Sequence, residues 1–296
     1  MALFLVFACF FLYKMYGILL KKKAVNMMND MVKKNRQNWD DYSEAYLRFK
    51  HNEKVLERIK KDPARAFEKG TWQQIMQRMP DLKGKRVCVP SSGDNHAVFA
   101  FALLGALVTS CDISENQLSA ARQKAEEMGL DIRFVHADTM EMQGIADEEY
   151  DLVYTSNGVH VWLDDLPKMY RNMHRILKKG GYYIMCDVHP FQQPFGNDFQ
   201  VVKSYTDVGP FEDEYNITFT WRIQDMMNAM ADGGLSFVHM EEMMDEKDYE
   251  YPFWLPLEDA VNGVKVDKDE VDRLYDWCQN PTMAIPQWLC VVCRKV

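Results

Sequence analysis

The chain has 296 residues, 47% of them hydrophobic and 27% charged, which is enough apolar material for one large domain and too much for wholesale disorder. A formal net charge of −9 argues against a nucleic-acid partner, which needs clustered Lys and Arg to neutralise phosphates. The seven cysteines are scattered, several in apolar runs, as small buried hydrophobes in a reducing compartment are. Cys290 and Cys293 stand three apart on a strand pattern with no second Cys or His pair beside them, so no metal site is expected.

Residues 1–20 form an apolar stretch, interrupted by Lys14 and closed by Lys21-Lys22-Lys23. It is about long enough to span a bilayer, which takes roughly 20 residues. It lacks the basic start and small-residue cleavage site of a secretory signal. Two readings stand. One is an anchor whose trailing lysines keep the rest of the chain at the cytoplasmic face of a membrane. The other is an extension outside the mature protein, with Met27, Met28 or Met31 as the working start. Residues 1–26 are therefore set apart. Residues 27–296 are expected to form one cytoplasmic domain with an N-terminal helical cap.

Residues 31–60 read as helix, with Trp39, Tyr42, Tyr46, Phe49 and Val55 at roughly helical spacing. After Pro63 a short helix covers 71–79, with Thr71 as its N-cap. Strands and helices then alternate. Strand 85–90 leads to helix 95–104 and strand 107–111. Ser114 caps a helix running to 128, which Gly129 ends. Strands follow at 131–136 and 150–155. Helix 164–177, ended by Gly180-Gly181, precedes strand 182–188. Helix 222–231 and strands 235–240 and 287–294 complete the series. Apolar strands alternating with helices predict a mostly parallel sheet covered on both faces. Two long connections, 189–221 and 243–286, carry aromatic residues, prolines and acids. Connections of this length are usually lids or substrate-facing insertions.

The densest signal is KRVCVPSSGDNHAVFAFALLGALVTSCDIS, residues 85–114. A strand meets a small polar turn of Ser91, Ser92, Gly93, Asp94 and Asn95. A helix follows, and a second strand ends on Asp112. The turn and the helix N-terminus offer backbone N–H groups to an electronegative ligand. A carboxylate about 20 residues further on suits the two hydroxyls of a ribose. The pattern predicts an adenosine-containing cofactor.

On these residues the chain resembles the class I S-adenosylmethionine-dependent methyltransferases, over roughly residues 35–242 and the last strand. VCVPSSGDN stands at the family's turn, E/D-x-G-x-G-x-G. Asp112 stands at the acidic end of the second strand, and Asp138 of VHADTM after the third. YDLVYTSNGVHVW occupies the fourth strand and the cofactor-flanking turn. RILKKGGYYIMCD matches a helix, a Gly-Gly turn and the fifth strand; WRIQDMMNAMADGGLSFVHMEE matches the next helix and the sixth strand. The resemblance implies an α/β, Rossmann-like, seven-stranded, mostly parallel sheet with helices on both faces and the last strand antiparallel. It also implies S-adenosylmethionine as cofactor. Two departures stand. Val89 replaces the family's acid in the first strand, with Asp94 close enough in sequence to compensate. Of the turn glycines only Gly93 remains; Asn95, a residue type that tolerates left-handed backbone, stands for the last.

The resemblance assigns Ser91, Ser92, Gly93 and Asn95 to the amino-acid end of the cofactor and Asp112 to its ribose hydroxyls. Ile113 flanks the adenine, Asp138 accepts from the adenine amino group, and Thr139 supplies backbone contacts. Asn157 and Gly158 form the turn after the fourth strand, and Tyr46 covers the pocket from the N-terminal helix. His160 and His189 follow the fourth and fifth strands, where ligands of doubly wound sheets sit. Each is a candidate general base or substrate hydrogen-bonder, and each is also readable as a structural histidine. The implied activity is methyl transfer to a small-molecule acceptor, cationic or aromatic, by direct displacement. A second reading is a non-catalytic protein that binds S-adenosylmethionine or S-adenosylhomocysteine as a regulator or scaffold. A nicotinamide oxidoreductase lacks its glycine turn here, and an RNA methyltransferase sits badly with the acidic balance.

Overall fold

The computed structural model describes residues 30–43, 53–93, 95–196, 199–247, 249 and 266–296. The expectations for 1–26, Tyr46 and Asp94 lie outside the described residues, as do positions 248 and 250–265 of the second long connection. Among the described residues, no helix is long and apolar enough to cross a membrane.

Helix α1 covers 30–43, followed by α2 (Glu53–Lys61) and α3 (Lys69–Arg78). The alternating part then runs β1 (Arg86–Val89), α4 (His96–Leu103), β2 (Leu107–Asp112), α5 (Glu115–Glu127), β3 (Ile132–His136) and β4 (Tyr150–Ser156). It continues through α6 (Leu166–Ile176), β5 (Leu177–Val188), the short ribbon β6 (Phe211–Glu212) and β7 (Ile217–Thr218), and α7 (Ile223–Asp232). The chain closes with β8 (Ser236–Met243), α8 (Lys268–Leu274) and β9 (Trp288–Arg294). The seven-stranded sheet has the order β3-β2-β1-β4-β5-β9-β8. Strands β1 to β5 pair in parallel, and β9 lies antiparallel between β5 and β8. This is the expected architecture.

Alternation along the strands feeds two cores. Val87, Val89, Leu152 and Tyr154 point to one face, where they meet Ile75, Val98 and Phe101 of α3 and α4. Cys88, Tyr150 and Val153 point to the other, against α6 and α7. Helix α6 presents Leu166, Met169, Tyr170, Met173 and Ile176, all fully buried, at helical spacing. Each large apolar side chain so buried stabilises the fold by about 1.5–3 kcal/mol relative to exposure. Asp165 caps the helix by accepting from the Lys168 N–H at 2.8 Å.

Two local expectations are corrected. Helix α3 begins before Thr71, with Glu68 at the N-cap, so Thr71 is buried inside the first turn rather than capping it. Gly180-Gly181 does not end a helix; α6 passes directly into β5, and the pair lies inside that strand. The reason is close approach: a Cβ on Gly181 would come within 3.1 Å of the Tyr150 and Asp151 carbonyl oxygens of β4.

Candidate cofactor site

The carboxyl ends of β1, β2 and β4 open onto a crevice of about 880 Å3, its open mouth included. The turn after β1 forms one wall. Ser91 and Gly93 both take φ of +47°, the left-handed region that glycine enters without strain. Asn95 does not: its φ is −61°, and its side-chain oxygen accepts from the Ala97 N–H to cap α4. The left-handed position expected at Asn95 thus falls at Ser91, because a capping residue needs extended backbone. The Asn95 amide donates to Ser156 Oγ at 2.8 Å, tying the turn to β4. Ser92 binds Ser110 through its hydroxyl at 2.7 Å and the Cys111 carbonyl through its N–H at 2.9 Å, tying it to β2.

Asp112 ends β2 and is 7% exposed. One carboxylate oxygen accepts from the Gly93 N–H at 2.7 Å, the other from the Ser114 N–H at 2.8 Å. A carboxylate has about four acceptor sites, so this geometry is compatible with further hydrogen bonds from a ligand diol. Ile113 lines the crevice beside it. Asp138 accepts from the Met140 N–H at 2.8 Å. Burial pushes its carboxyl above the usual carboxylate range, against the pull of that N–H. Thr139 and Ser91 share a 2.7 Å hydroxyl hydrogen bond across the crevice.

Asn157 and Gly158 follow β4 with φ of +63° and +86°. Asn157 lines the crevice, whereas Gly158 turns its N–H to Asp187 at 2.7 Å. The two histidines are not brought to the crevice. His160 is buried, with Nδ1 on Asp187 and Nε2 on the Tyr170 hydroxyl, both at 2.7 Å. His189 is fully buried; its Nε2 meets Glu242 at 2.9 Å and its Nδ1 accepts from the Phe191 N–H at 3.2 Å. Burial pulls the His189 pKa down, against the opposing Glu242 carboxylate. Both rings have their nitrogens committed to structure, which leaves neither placed as a base at this crevice.

Helix α1 forms the roof. Met31, Asn35 and Trp39 recur every four residues on the face that lines the crevice. Trp39 meets Trp162 edge to face at 5.2 Å, and Asp40 accepts from the Ser114 hydroxyl at 2.6 Å. The sequence placed Trp39 on the N-terminal helix over the pocket but gave the contact to Tyr46; Met31 and Asn35, with Trp162, Leu163 and Met140, were not singled out as site residues. The spacing of Met31, Asn35 and Trp39 was the available signal, but it reads equally as ordinary core packing.

The residues present fit S-adenosylmethionine. The acids among the described lining residues are Asp112 and Asp138, and no lysine or arginine lies among them, which suits a sulfonium cation. The carboxylate at the end of β2 stands where ribose hydroxyls are bound in dinucleotide folds.

A family model described as a methyltransferase domain matches residues 90–185. An uncharacterized methyltransferase of Bacillus subtilis, YbaJ, is 28% identical over 171 residues, 55% of this chain and 64% of that protein. The methyltransferase GfsG of Streptomyces halstedii is 30% identical over 131 residues, 43% of this chain and 46% of that one. The chain thus spans less than two thirds of the length of these relatives. Among solved structures, an S-adenosylmethionine-dependent methyltransferase of Mesorhizobium loti shares the fold with a TM-score of 0.54 at 20% identity, over 75% of this chain and 96% of that one. Strand order, crevice and matched domain together define a Rossmann-like methyltransferase fold. Residues 90–185 carry the matched methyltransferase domain, and the relatives and the fold neighbour named here are methyltransferases.

Proposed function

We propose that the protein transfers the methyl group of S-adenosylmethionine to a small-molecule acceptor by direct displacement. The observation that carries this reading is the crevice itself, with Asp112 and Asp138 on one wall and α1 closing it from above. When bound, the cofactor supplies an already activated methyl carbon. The chain's residues then have to align the two partners and exclude water, tasks that need no base on the protein. The Gly93 turn and Asp112 would orient the cofactor, while Asn157 and the α1 roof would shield the reacting end.

Calorimetric titration with S-adenosylmethionine and S-adenosylhomocysteine, with Asp112→Ala alongside, tests the cofactor half. No binding to the intact protein overturns it. The non-catalytic reading is favoured by one observation: of the turn's glycines only Gly93 remains. Labelled-methyl transfer to any acceptor in a metabolite panel decides between the two readings, since a scaffold transfers none.

A further inference from the structure

The two long connections come together in the fold. Gln192, Phe195 and Phe199 of the first line one cavity with Leu274, Thr282 and Met283 of the second. Val188 at the end of β5 and Trp288 at the start of β9, which are paired neighbours, complete it. The cavity measures about 1240 Å3, its open mouth included.

Its polar lining is amide and hydroxyl. Gln192 donates to the Thr282 and Pro286 carbonyls at 3.3 and 2.8 Å. Gln287, 4% exposed, donates to the Thr282 and Ile285 carbonyls at 2.6 and 2.8 Å. With these amide donors spent on the backbone, the capacity left to the two glutamines is that of acceptors. No charged side chain lines the cavity among the described residues. An ion buried there would lose its hydration without a partner, at a cost of several kcal/mol. An apolar ring would instead gain about 25 cal/mol for each Å2 removed from water.

The cavity and the cofactor crevice share one edge of the sheet. Asp187, next to Val188, holds the Gly158 N–H, and the flanking Asn157 and Val159 line the crevice. The crevice lies over β1, β2 and β4, and the cavity over β5 and β9. From β4 to β9 is two strand spacings, about 10 Å.

We propose that this cavity holds the body of the methyl acceptor, an uncharged, extended, ring-bearing molecule whose nucleophile reaches past Asn157 into the crevice. The proposal rests on the methyl-transfer reading. It keeps the aromatic half of the sequence expectation and drops the cationic half. The acceptor's oxygen or nitrogen lone pair forms the bond to the methyl carbon as the carbon–sulfur bond breaks toward sulfur. The sulfonium charge is thereby neutralised, and the proton of the methylated acceptor is lost to bulk solvent at the open mouth of the cavity.

The test uses the full chain, the uncharged fluorescent probe N-phenyl-1-naphthylamine and its anionic counterpart 8-anilinonaphthalene-1-sulfonate. Val188 is 37% exposed at a strand end, so Val188→Trp can fill the cavity without disturbing the crevice. Phe195→Ala, which removes part of the wall, serves if the first variant does not fold. The neutral probe is expected to bind about tenfold tighter than the anionic one, and either variant to weaken it by about tenfold, with affinity for S-adenosylmethionine unchanged. In a labelled-methyl panel of extended phenols and their carboxylated analogues, transfer is expected to the neutral members and to fall about tenfold in the variant. Equal binding of the two probes, a variant that binds like the parent, or transfer confined to the charged analogues overturns the proposal. A protein that binds the neutral probe but no S-adenosylmethionine overturns the acceptor role through the failure of the methyl-transfer reading, and the two failures are thereby told apart.

Discussion

The Asp187 carboxylate and the His160 ring meet at 2.7 Å, both buried, at the carboxyl ends of neighbouring strands. Burial keeps the Tyr170 phenol protonated, its pKa pushed well above the usual value. The Tyr170 hydroxyl shares a hydrogen bond with Nε2 of His160, and Nδ1 is paired with Asp187. The other Asp187 oxygen accepts from the Gly158 and Val188 N–H groups. One carboxylate thus fixes the left-handed turn that presents Asn157 to the crevice. Asp187→Asn would set an amide donor against some of these donors. It is expected to cost about 2–3 kcal/mol in denaturant unfolding and to weaken S-adenosylmethionine binding. An unfolding midpoint equal to that of the parent would refute the role.

Asp112→Ala is expected to lower affinity for S-adenosylmethionine about 100-fold. Two hydrogen bonds to a charged acceptor contribute roughly 1.5–3 kcal/mol each, and each 1.4 kcal/mol is tenfold. Because Asp112 also holds the Gly93 and Ser114 N–H groups, some stability is lost as well. Asp112→Asn keeps one acceptor oxygen and should fall between the two. Calorimetry and unfolding on the same samples separate the contributions; loss of stability without loss of affinity would remove Asp112 from the cofactor site.

Ser91 carries a side chain at φ +47°, where an L-residue is strained by roughly 1–2 kcal/mol. Ser91→Gly and Ser91→Ala both lose the hydroxyl bond to Thr139, but only glycine relieves the strain. Glycine's extra freedom in the unfolded chain offsets about 0.4–1 kcal/mol of that gain. Ser91→Gly is therefore expected to be more stable than Ser91→Ala by about 0.5–1 kcal/mol. Coincident denaturation curves would show that the turn is not strained.

The same turn shows what could be read from the residues alone. Apolar strand patterns and the Ser114 cap located the sheet, and the spacing from Gly93 to Asp112 located the crevice, since both are local properties of the chain. The exchange of roles between Ser91 and Asn95 was not legible, because a cap and a left-handed turn draw on the same small polar residues. His160 and His189 sat at the right strand ends. Which way each ring turns depends on Asp187 and Glu242, which are 27 and 53 residues away in sequence. The covering helix was expected, but its crevice-facing residues were hidden for a similar reason: Met31, Asn35 and Trp39 have the spacing of any buried helix face.

Glu68 stands at the N-cap position of α3 without a side-chain capping hydrogen bond, near Asp245 and Glu246. Burial first, and then those two carboxylates, push its pKa from 4.5 up to about 7. A folded pKa above the unfolded one means that the folded state holds the proton more tightly. The stability so gained is fully present below pH 4.5 and is lost as the pH rises through about 7. The shift corresponds to at most about 3 kcal/mol. Glu68→Gln, which cannot ionise, should raise the unfolding midpoint at pH 8 and leave it little changed at pH 4.5. A gain of equal size at both pH values would contradict this account.

Asn35 decides how firmly the roof is closed. Its amide donates to the Ile217 carbonyl and its oxygen accepts from the Ile217 N–H, both at 2.9 Å, as a strand partner would. The same residue lines the crevice, so one side chain clips α1 to the ribbon and borders the ligand. Asn35→Ala leaves two buried backbone groups unpaired, at about 1–3 kcal/mol each. Part of this cost falls on the closed position of α1, because opening the roof would let water reach those groups. Dissociation of S-adenosylmethionine is therefore expected to quicken by about tenfold, corresponding to 1.4 kcal/mol, with association little changed. Trp39→Ala removes the edge-to-face contact with Trp162, worth about 0.5–1.5 kcal/mol, and should act in the same direction. Stopped-flow dissociation into excess S-adenosylhomocysteine measures both. If the variants instead slow association and leave dissociation as it was, α1 helps to form the binding surface and does not retain the ligand.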